Sequence, residues 1–355
     1  MDINFDEIFQ KVKNDTGKIN VLIAGRSGVG KSTLINAIFG RKMAEVGQGR
    51  PVTKNTREIT HEGVPLNIFD TRGLEMEDFA NTLKSLEILV KERRSEQDSN
   101  RHIHVAWLCI HEDARRVEDA EINLHKMLSE YMPVIAVITK ARSDQGFKNE
   151  VLNLLPNIRN IVRVRAISEE FDEGFVLPVM GLDTLIDATS EVIPEGKRRA
   201  FAAAQVANLK YKVTQSRIAI ATAAAAAAAV AAIPIPFSDA FVLAPIQVAM
   251  IAQISIIFGM DLTTGSLSTI VTSALGVTGA SFMGRSIAAN ILKMIPVVGT
   301  AVGATVNVTI ATTITTMLGE AYVTVLSNLY NQNPDINLEP EEIAEHLKKQ
   351  LQREK

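Results

Sequence analysis

A single cysteine in 355 residues, one tryptophan and 5% aromatic residues deny this chain several common devices. Cys109 alone cannot close an internal disulfide, and within the apolar run Val105 to Ile110 it reads as a buried thiol rather than a nucleophile. Basic charge is not in excess either: 37 Lys and Arg stand against 40 Asp and Glu, net -3, which argues against a nucleic-acid partner. The first residues, Met1-Asp2-Ile3-Asn4-Phe5-Asp6-Glu7, have no basic stretch leading into an apolar one. The expectation is no secretory leader and a cytoplasmic setting. Cys and His do not cluster at metal-ligand spacing. His102, His104 and His111 flank one strand-like run, and ordinary strand-end histidines are the expectation there. Charge itself runs out in the second half, where long uncharged stretches begin after about residue 218.

What is present is Gly25-Arg26-Ser27-Gly28-Val29-Gly30-Lys31-Ser32-Thr33, preceded by the apolar run Val21 to Ala24 and followed by Leu34, Ile35, Ala37, Ile38 and Phe39 at helical spacing. A buried strand that turns into a helix at GxxxxGK[ST] is the setting of a phosphate-binding loop. There the glycines let backbone N–H groups close around phosphate oxygens, and the helix N-terminus adds its partial positive charge. Lys31 is placed to reach the β- and γ-phosphates and Ser32 to ligate Mg²⁺. The alternative, a glycine turn with a lysine and a serine by chance, does not account for the strand before it and the helix after it.

Residues 1–17 read as a short amphipathic helix, with Ile3, Phe5, Ile8, Phe9 and Val12 at near-helical spacing. After the helix that follows the phosphate loop, a polar loop from Ala44 to about Arg57 has the length and position of a switch segment. Thr56 is its first candidate for a hydroxyl on Mg²⁺ and a backbone N–H on the γ-phosphate, with Thr53 the alternative. Glu58 to Thr60 and Leu66 to Phe69 read as strands, and the second ends in Asp70-Thr71-Arg72-Gly73. Asp70 would hold a Mg²⁺-bound water and Gly73 would offer its N–H to the γ-phosphate. Helices and strands then alternate as far as about residue 193, which predicts a mainly parallel sheet covered on both faces, within a domain spanning 18–195.

These residues resemble the motifs of Era-like, translation-factor-related GTPases. GRSGVGKS looks like the first motif, Thr56 or Thr53 the second, and DTRG the third. Thr139-Lys140-Ala141-Arg142-Ser143-Asp144 looks like a variant fourth, and Arg165-Ala166-Ile167 a fifth. The resemblance covers roughly residues 18 to 195 and implies an α/β P-loop GTPase domain that binds GTP or GDP with Mg²⁺ and hydrolyses GTP. It also implies base contacts from Thr139, Lys140, Asp144 and Ala166. Three departures stand out. The usual guanine-accepting aspartate position holds Arg142, which cannot accept the base's N–H groups; Asp144, two residues on, can. Leu74 stands where Ras-like relatives carry a water-orienting glutamine, so hydrolysis should be slow unless a partner or second copy helps. Arg26 and Arg72 are the candidate charge donors to the transition state, in cis or across a dimer; solvated arginines beside a phosphate site are the equal alternative. Gly28 stands at the position of the asparagine found in potassium-activated relatives, so potassium activation is not expected.

Pro194-Glu195-Gly196 breaks the chain. Residues 196 to 217 hold six basic residues and no acid, either a solvated face or a strip beside anionic lipid. Four uncharged stretches follow (218–238, 240–260, 262–284 and 294–319), each long enough to cross a bilayer core. Two readings stand: an all-α hydrophobic domain over 196–335 whose helices bury one another, or a helical hairpin that enters the inner face of the cell membrane. Gly299 and Gly303 would permit close helix contact. The part from Ile233 to Gly259 resembles the YcjF-type C-terminal domain found with bacterial Era-like GTPases, and the layout is similar to immunity-related and dynamin-like GTPases. Residues 336–355 read as a charged amphipathic helix. The expectation is a GTP-driven switch coupled to membrane or partners, self-associating in the GTP state. Its rivals are a switch without turnover and an Era-like ribosome or RNA assembly factor.

Overall fold

The computed structural model describes residues 4–40, 50–53, 56–71, 79–172, 174–232, 239–260, 262–275, 303–332 and 339–353. They form two compact units, one of residues 16–211 and one of residues 1–15 with 212–355.

The first unit is built on a seven-stranded sheet in the order β2-β3-β4-β1-β5-β6-β7. Its strands are β1 Ile19–Gly25, β2 Arg50–Thr53, β3 Thr56–Thr60, β4 Leu66–Thr71, β5 Val105–His111, β6 Val134–Thr139 and β7 Asn160–Arg163. β4, β1, β5, β6 and β7 run parallel, while β2 and β3 are antiparallel at one edge. All seven residues of β1 and all six of β6 are buried, as a sheet covered on both faces requires. The helices of this unit are α2 Lys31–Phe39, α3 Phe79–Ser95, α4 Asp119–Ser129, α5 Phe147–Leu154, α6 Leu182–Val192 and α7 Arg198–Ala204.

Fully buried Trp107 of β5 stacks on Phe39 of α2 at 5.7 Å and donates its indole N–H to Thr189 Oγ1 of α6 at 3.1 Å. Phe201 of α7 packs edge-on against Phe39 and Tyr211, so the residues just after the proline-glycine break belong to this core. Cys109 is completely buried, and desolvation pushes its thiol up to about 12, an inert group. His104 is likewise structural. It accepts from Asn20 N and donates to Ser99 O, and burial holds its pKa down to about 4. Among the described residues there is no group of three or more His, Cys, Asp or Glu fit to hold a metal ion.

Two features differ from the sequence reading. Residues 50–53 and 56–57, expected in a loop, are strand: Thr56 pairs with Thr71 and Arg57 with Asp70 across the β3–β4 ladder. A small antiparallel pair, β8 Glu169–Glu170 and β9 Val176–Leu177, also interrupts the region after β7.

The second unit contains α1 Phe5–Thr16, whose first eleven residues it holds, most of α8 Leu209–Ala231, and then α9 Asp239–Ile257, α10 Thr264–Leu275, α11 Gly303–Gln332 and α12 Pro340–Arg353. Val248, Ile251, Ala252, Ile254 and Ile257 of α9 are buried, so much of the most apolar stretch in the chain faces other helices. Ser255 Oγ and Tyr322 OH share a hydrogen bond of 2.7 Å between α9 and α11. A side chain at Gly319 would meet Ile220 Cγ1 of α8 at 2.5 Å and Met250 Sδ of α9 at 3.1 Å, so this glycine permits a close helix approach. Gly299, named for that role from sequence, lies outside the described residues. Lys212 is fully buried, with Nζ donating to Ile257 O at 2.9 Å and lying 5.6 Å from the Tyr330 ring centroid.

Candidate nucleotide site

β1 ends at Gly25 and α2 begins at Lys31, so residues 25–32 form the turn between the central strand and a helix N-terminus. Gly25 lies under β5: a Cβ there would come within 2.5 Å of Cys109 O, which excludes any side chain. Gly28 and Gly30 take φ values of 74° and 103°, backbone that turns N–H groups along one concave side. Lys31 is buried, its Nζ donating to Gly25 O at 2.8 Å and Arg26 O at 3.0 Å. The amine thus lies across the loop it belongs to. Ser32 is exposed at the first turn of α2, and Thr33 is half-buried beside it. Thr139 of β6 buttresses the loop from below, its Oγ1 donating to Val29 O at 2.6 Å.

Parallel pairing of β1 with β4 puts Ile23 opposite Asp70, two residues before Gly25, so the aspartate stands next to the loop. Asp70 is buried; its Oδ2 accepts from Arg57 Nη2 at 3.1 Å, and its Oδ1 has no hydrogen-bond partner among the described residues. A buried carboxylate oxygen with no donor is costly unless a cation or its water completes it. Together with the exposed Ser32 hydroxyl, that oxygen fits a hydrated Mg²⁺. Thr56 is buried opposite Thr71, at the same end of the sheet. Arg72, Gly73 and Leu74 lie outside the described residues.

The base side is organised by a residue the sequence reading passed over. Glu112, fully buried just after β5, accepts from the backbone N–H of Arg142 (2.5 Å) and Ser143 (2.9 Å) and from Arg163 Nε (2.6 Å). Burial opposes its ionisation, but the Arg163 guanidinium and the two N–H donors outweigh burial and hold its carboxyl below the usual glutamate range. Arg165 donates to Ala141 O and Pro178 O, and Arg115 to Asp144 O and Ser143 O, so the loop from Ala141 to Asp144 is tied down at every residue. Arg142 leaves the base position altogether, donating to Glu169 Oε2 at 2.6 Å and Asp113 Oδ2 at 3.2 Å. Asp144 uses Oδ1 to accept from Lys148 N at 2.9 Å, in the first turn of α5, and its side chain is 34% exposed. Lys140 is exposed with φ 53°, its Cε about 4.0 Å from where a Cβ on Gly30 would stand, so its stem runs beside the phosphate loop. Ala166 is half-buried after β7. Nothing in the spacing separates Glu112 from Asp113, whose side chain is 41% exposed.

Arg26, named as a charge donor, is on Glu118 at 2.5 Å, and Glu118 also pairs with Arg116 and caps α4 in a reciprocal arrangement with Glu121.

Residues 20–140 match the family model described as a 50S ribosome-binding GTPase, and residues 202–354 match a domain of unknown function, DUF697. The chain is 29% identical over 254 residues to cell division control protein 10 of Candida albicans, covering 58% of this chain and 70% of that protein. It is 25% identical over 208 residues to the tRNA modification GTPase MnmE of Alkaliphilus oremlandii, covering 56% of this chain and 40% of that enzyme. A 78-residue stretch is 36% identical to translocase of chloroplast 90 of Arabidopsis thaliana, covering 21% of this chain and 10% of that protein. The chain therefore spans less than half the length of the tRNA modification GTPase. The sheet order and the first family match together define an α/β P-loop GTPase domain, followed by a helical region that the second match covers. GTP and GDP binding are supported as properties of that family.

Proposed function

We propose that this chain is a GTP-hydrolysing switch whose helical unit engages a membrane in the triphosphate state. The chemistry rests on buried Asp70 beside the Gly25–Ser32 turn, with an oxygen left for a metal-bound water. Mg²⁺, when bound, supplies charge neutralisation between the β- and γ-phosphates. Lys31 exchanges its two loop carbonyls for phosphate oxygens, Ser32 and Asp70 hold the metal side, and Thr56 and Gly73 receive the γ-phosphate. Arg57 must then share or release Asp70, which couples the β3 edge to the nucleotide. With Leu74 in place of a glutamine, water orientation falls to a second copy or a partner, so turnover rises with self-association.

The membrane reading rests on α8. It is, among the described residues, the one helix long and apolar enough to cross a membrane, and core helices meet the same criterion. Its exposed positions beyond Arg217 are Ile218, Ala221, Thr222, Ala225, Ala226 and Ala229, with no charge, while exposed Lys210 and Arg217, the latter paired with Glu320 at 3.2 Å, mark its start. That order, cations then an apolar face, suits a helix lying at an anionic surface on the cytoplasmic side of the cell membrane. Liposome flotation with GDP, with a non-hydrolysable GTP analogue and without nucleotide tests it. Flotation with the analogue alone is the expected result; flotation in every state would make the chain a constitutively anchored GTPase, and none in any state would remove the membrane.

Guanine preference is proposed to come from Asp144, whose Oδ2 is left to accept from the base. Asp144→Asn is expected to lower the ratio of GTP to ATP affinity about tenfold, one charge-assisted bond. An unaltered ratio in competition binding would assign Asp144 to capping α5 alone.

A further inference from the structure

The end of the sheet opposite the phosphate loop, where β6 and β7 begin, carries a groove that the nucleotide chemistry does not use. It lies where the chain enters β6 and β7, beside the last turns of α3 and α4, and has a volume of about 1050 Å³. That is the size of a small-molecule site. Its floor is apolar, with Ile122, Met132 and Ile158. Three cations line it, Arg94, Lys126 and Arg159, against one acid, Glu130.

The polar groups are notable for what they do not bind. The side chains of Lys126, Ser129, Asn157 and Arg159 are exposed and have no hydrogen-bond or ion-pair partner among the described residues, so a ligand would meet them already free. His125, also in the lining, is 3% exposed, and its Nε2 has no partner there. Burial lowers its pKa, so the ring is neutral at pH 7. A helix C-terminus normally repels an anion, but Arg94 Nη1 donates to Glu130 O at 3.0 Å and Tyr131 O at 3.1 Å, covering the carbonyls at the end of α4. Arg94, Tyr131 and Met132 also line a second cavity of about 320 Å³ with Val90, His102 and Ile103.

We propose that this groove is a second ligand site, for a phosphate monoester carrying an apolar or aromatic body. Lys126 and Arg159 take the phosphate, Ser129 and Asn157 add neutral hydrogen bonds, and Ile122, Met132 and Ile158 receive the body. An isolated phosphate would satisfy the cations but leave the floor wet, so the ester binds better than the inorganic ion.

The test is calorimetric titration of the full chain with phenyl phosphate in excess GDP and Mg²⁺, so that the phosphate loop is filled; Lys31→Ala is titrated in parallel. Saturable binding is expected, at least fivefold tighter than inorganic phosphate. It should weaken at least tenfold in Lys126→Ala and in Arg159→Ala and stay unchanged in Lys84→Ala, an exposed lysine of α3 outside the groove. Phosphatidylcholine vesicles with and without phosphatidic acid separate a lipid headgroup from a free ester: capture by phosphatidic acid that phenyl phosphate competes away assigns the headgroup. Binding only of the free ester assigns a soluble ligand. No saturable heat, or equal affinities in Arg159→Ala and Lys84→Ala, would overturn the site.

Discussion

Lys31→Ala should abolish nucleotide binding while leaving the nucleotide unit folded. Lys31 already makes two hydrogen bonds across its own loop, to Gly25 O and Arg26 O. In the proposed nucleotide complex the same amine would turn to the β- and γ-phosphates. Charge-assisted bonds of this kind contribute about 1.5–3 kcal/mol each, so losing two of them lowers GTP affinity at least about 100-fold, roughly 2.7 kcal/mol. Titration with a fluorescent GTP analogue reads the affinity, phosphate release reads the lost turnover, and far-UV circular dichroism confirms the fold. An unchanged affinity would sink the site assignment. A collapsed spectrum would show instead that the amine is needed to close the loop.

The second large effect is expected at Glu112. One buried carboxylate holds the Arg142 and Ser143 N–H groups and the Arg163 guanidinium, so Glu112→Ala leaves two backbone donors without an acceptor and a partly buried cation with only the longer contact to Asp144 Oδ1 at 3.6 Å. Breaking a buried pair from one side costs about 3–5 kcal/mol. For a unit of this size, about 3 kcal/mol lowers Tm by roughly 6–12 °C. Guanine nucleotide affinity should fall as well, since the loop carrying Asp144 loses its anchor. Scanning calorimetry with and without GDP reads both; a Tm within a degree of the parent would show that Glu112 is dispensable. The pH dependence has a definite sign. The folded-state pKa of Glu112 lies below its ordinary value, so its stabilisation is full above the ordinary glutamate range and is lost as pH falls through the lower, folded value. The variant should therefore lose less stability than the parent on acidification.

The phosphate loop and the sheet could be read from sequence because both leave local signatures. The loop has fixed glycine spacing between an apolar run and a helical one, and each buried strand is a short block of Val, Ile, Leu and Ala. Thr56 reads as loop because polar residues on a short strand break the apolar pattern; the ladder to β4 and the Arg57–Asp70 pair are long-range and leave no local mark. Glu112 was illegible for a related reason: a carboxylate at a strand end looks solvated until Arg163, 51 positions away, is brought to it. The destination of Arg142, Glu169 of β8, lies on a strand too short to announce itself in the sequence. Gly319, where a side chain would run into Ile220 and Met250, left no mark in the sequence, because a single glycine in a helix does not say which face points inward.

The grouping of residues 1–15 with 212–355 also sets an order of assembly on the ribosome. The nucleotide unit is one uninterrupted segment and can close as soon as residue 211 has emerged. Its neighbour is split in sequence. The α1 helix, with buried Phe9 and Val12 and an Asp6 carboxylate that accepts from Thr264, is made before the rest of its unit and waits for the residues it joins. At about 5–20 residues per second, on the order of ten to fifty seconds separate the synthesis of Asp6 from that of Thr264. Throughout that interval the apolar face of α1 has no native surface to join. Deleting residues 1–15 should therefore destabilise the helical unit and leave residues 16–211 folded.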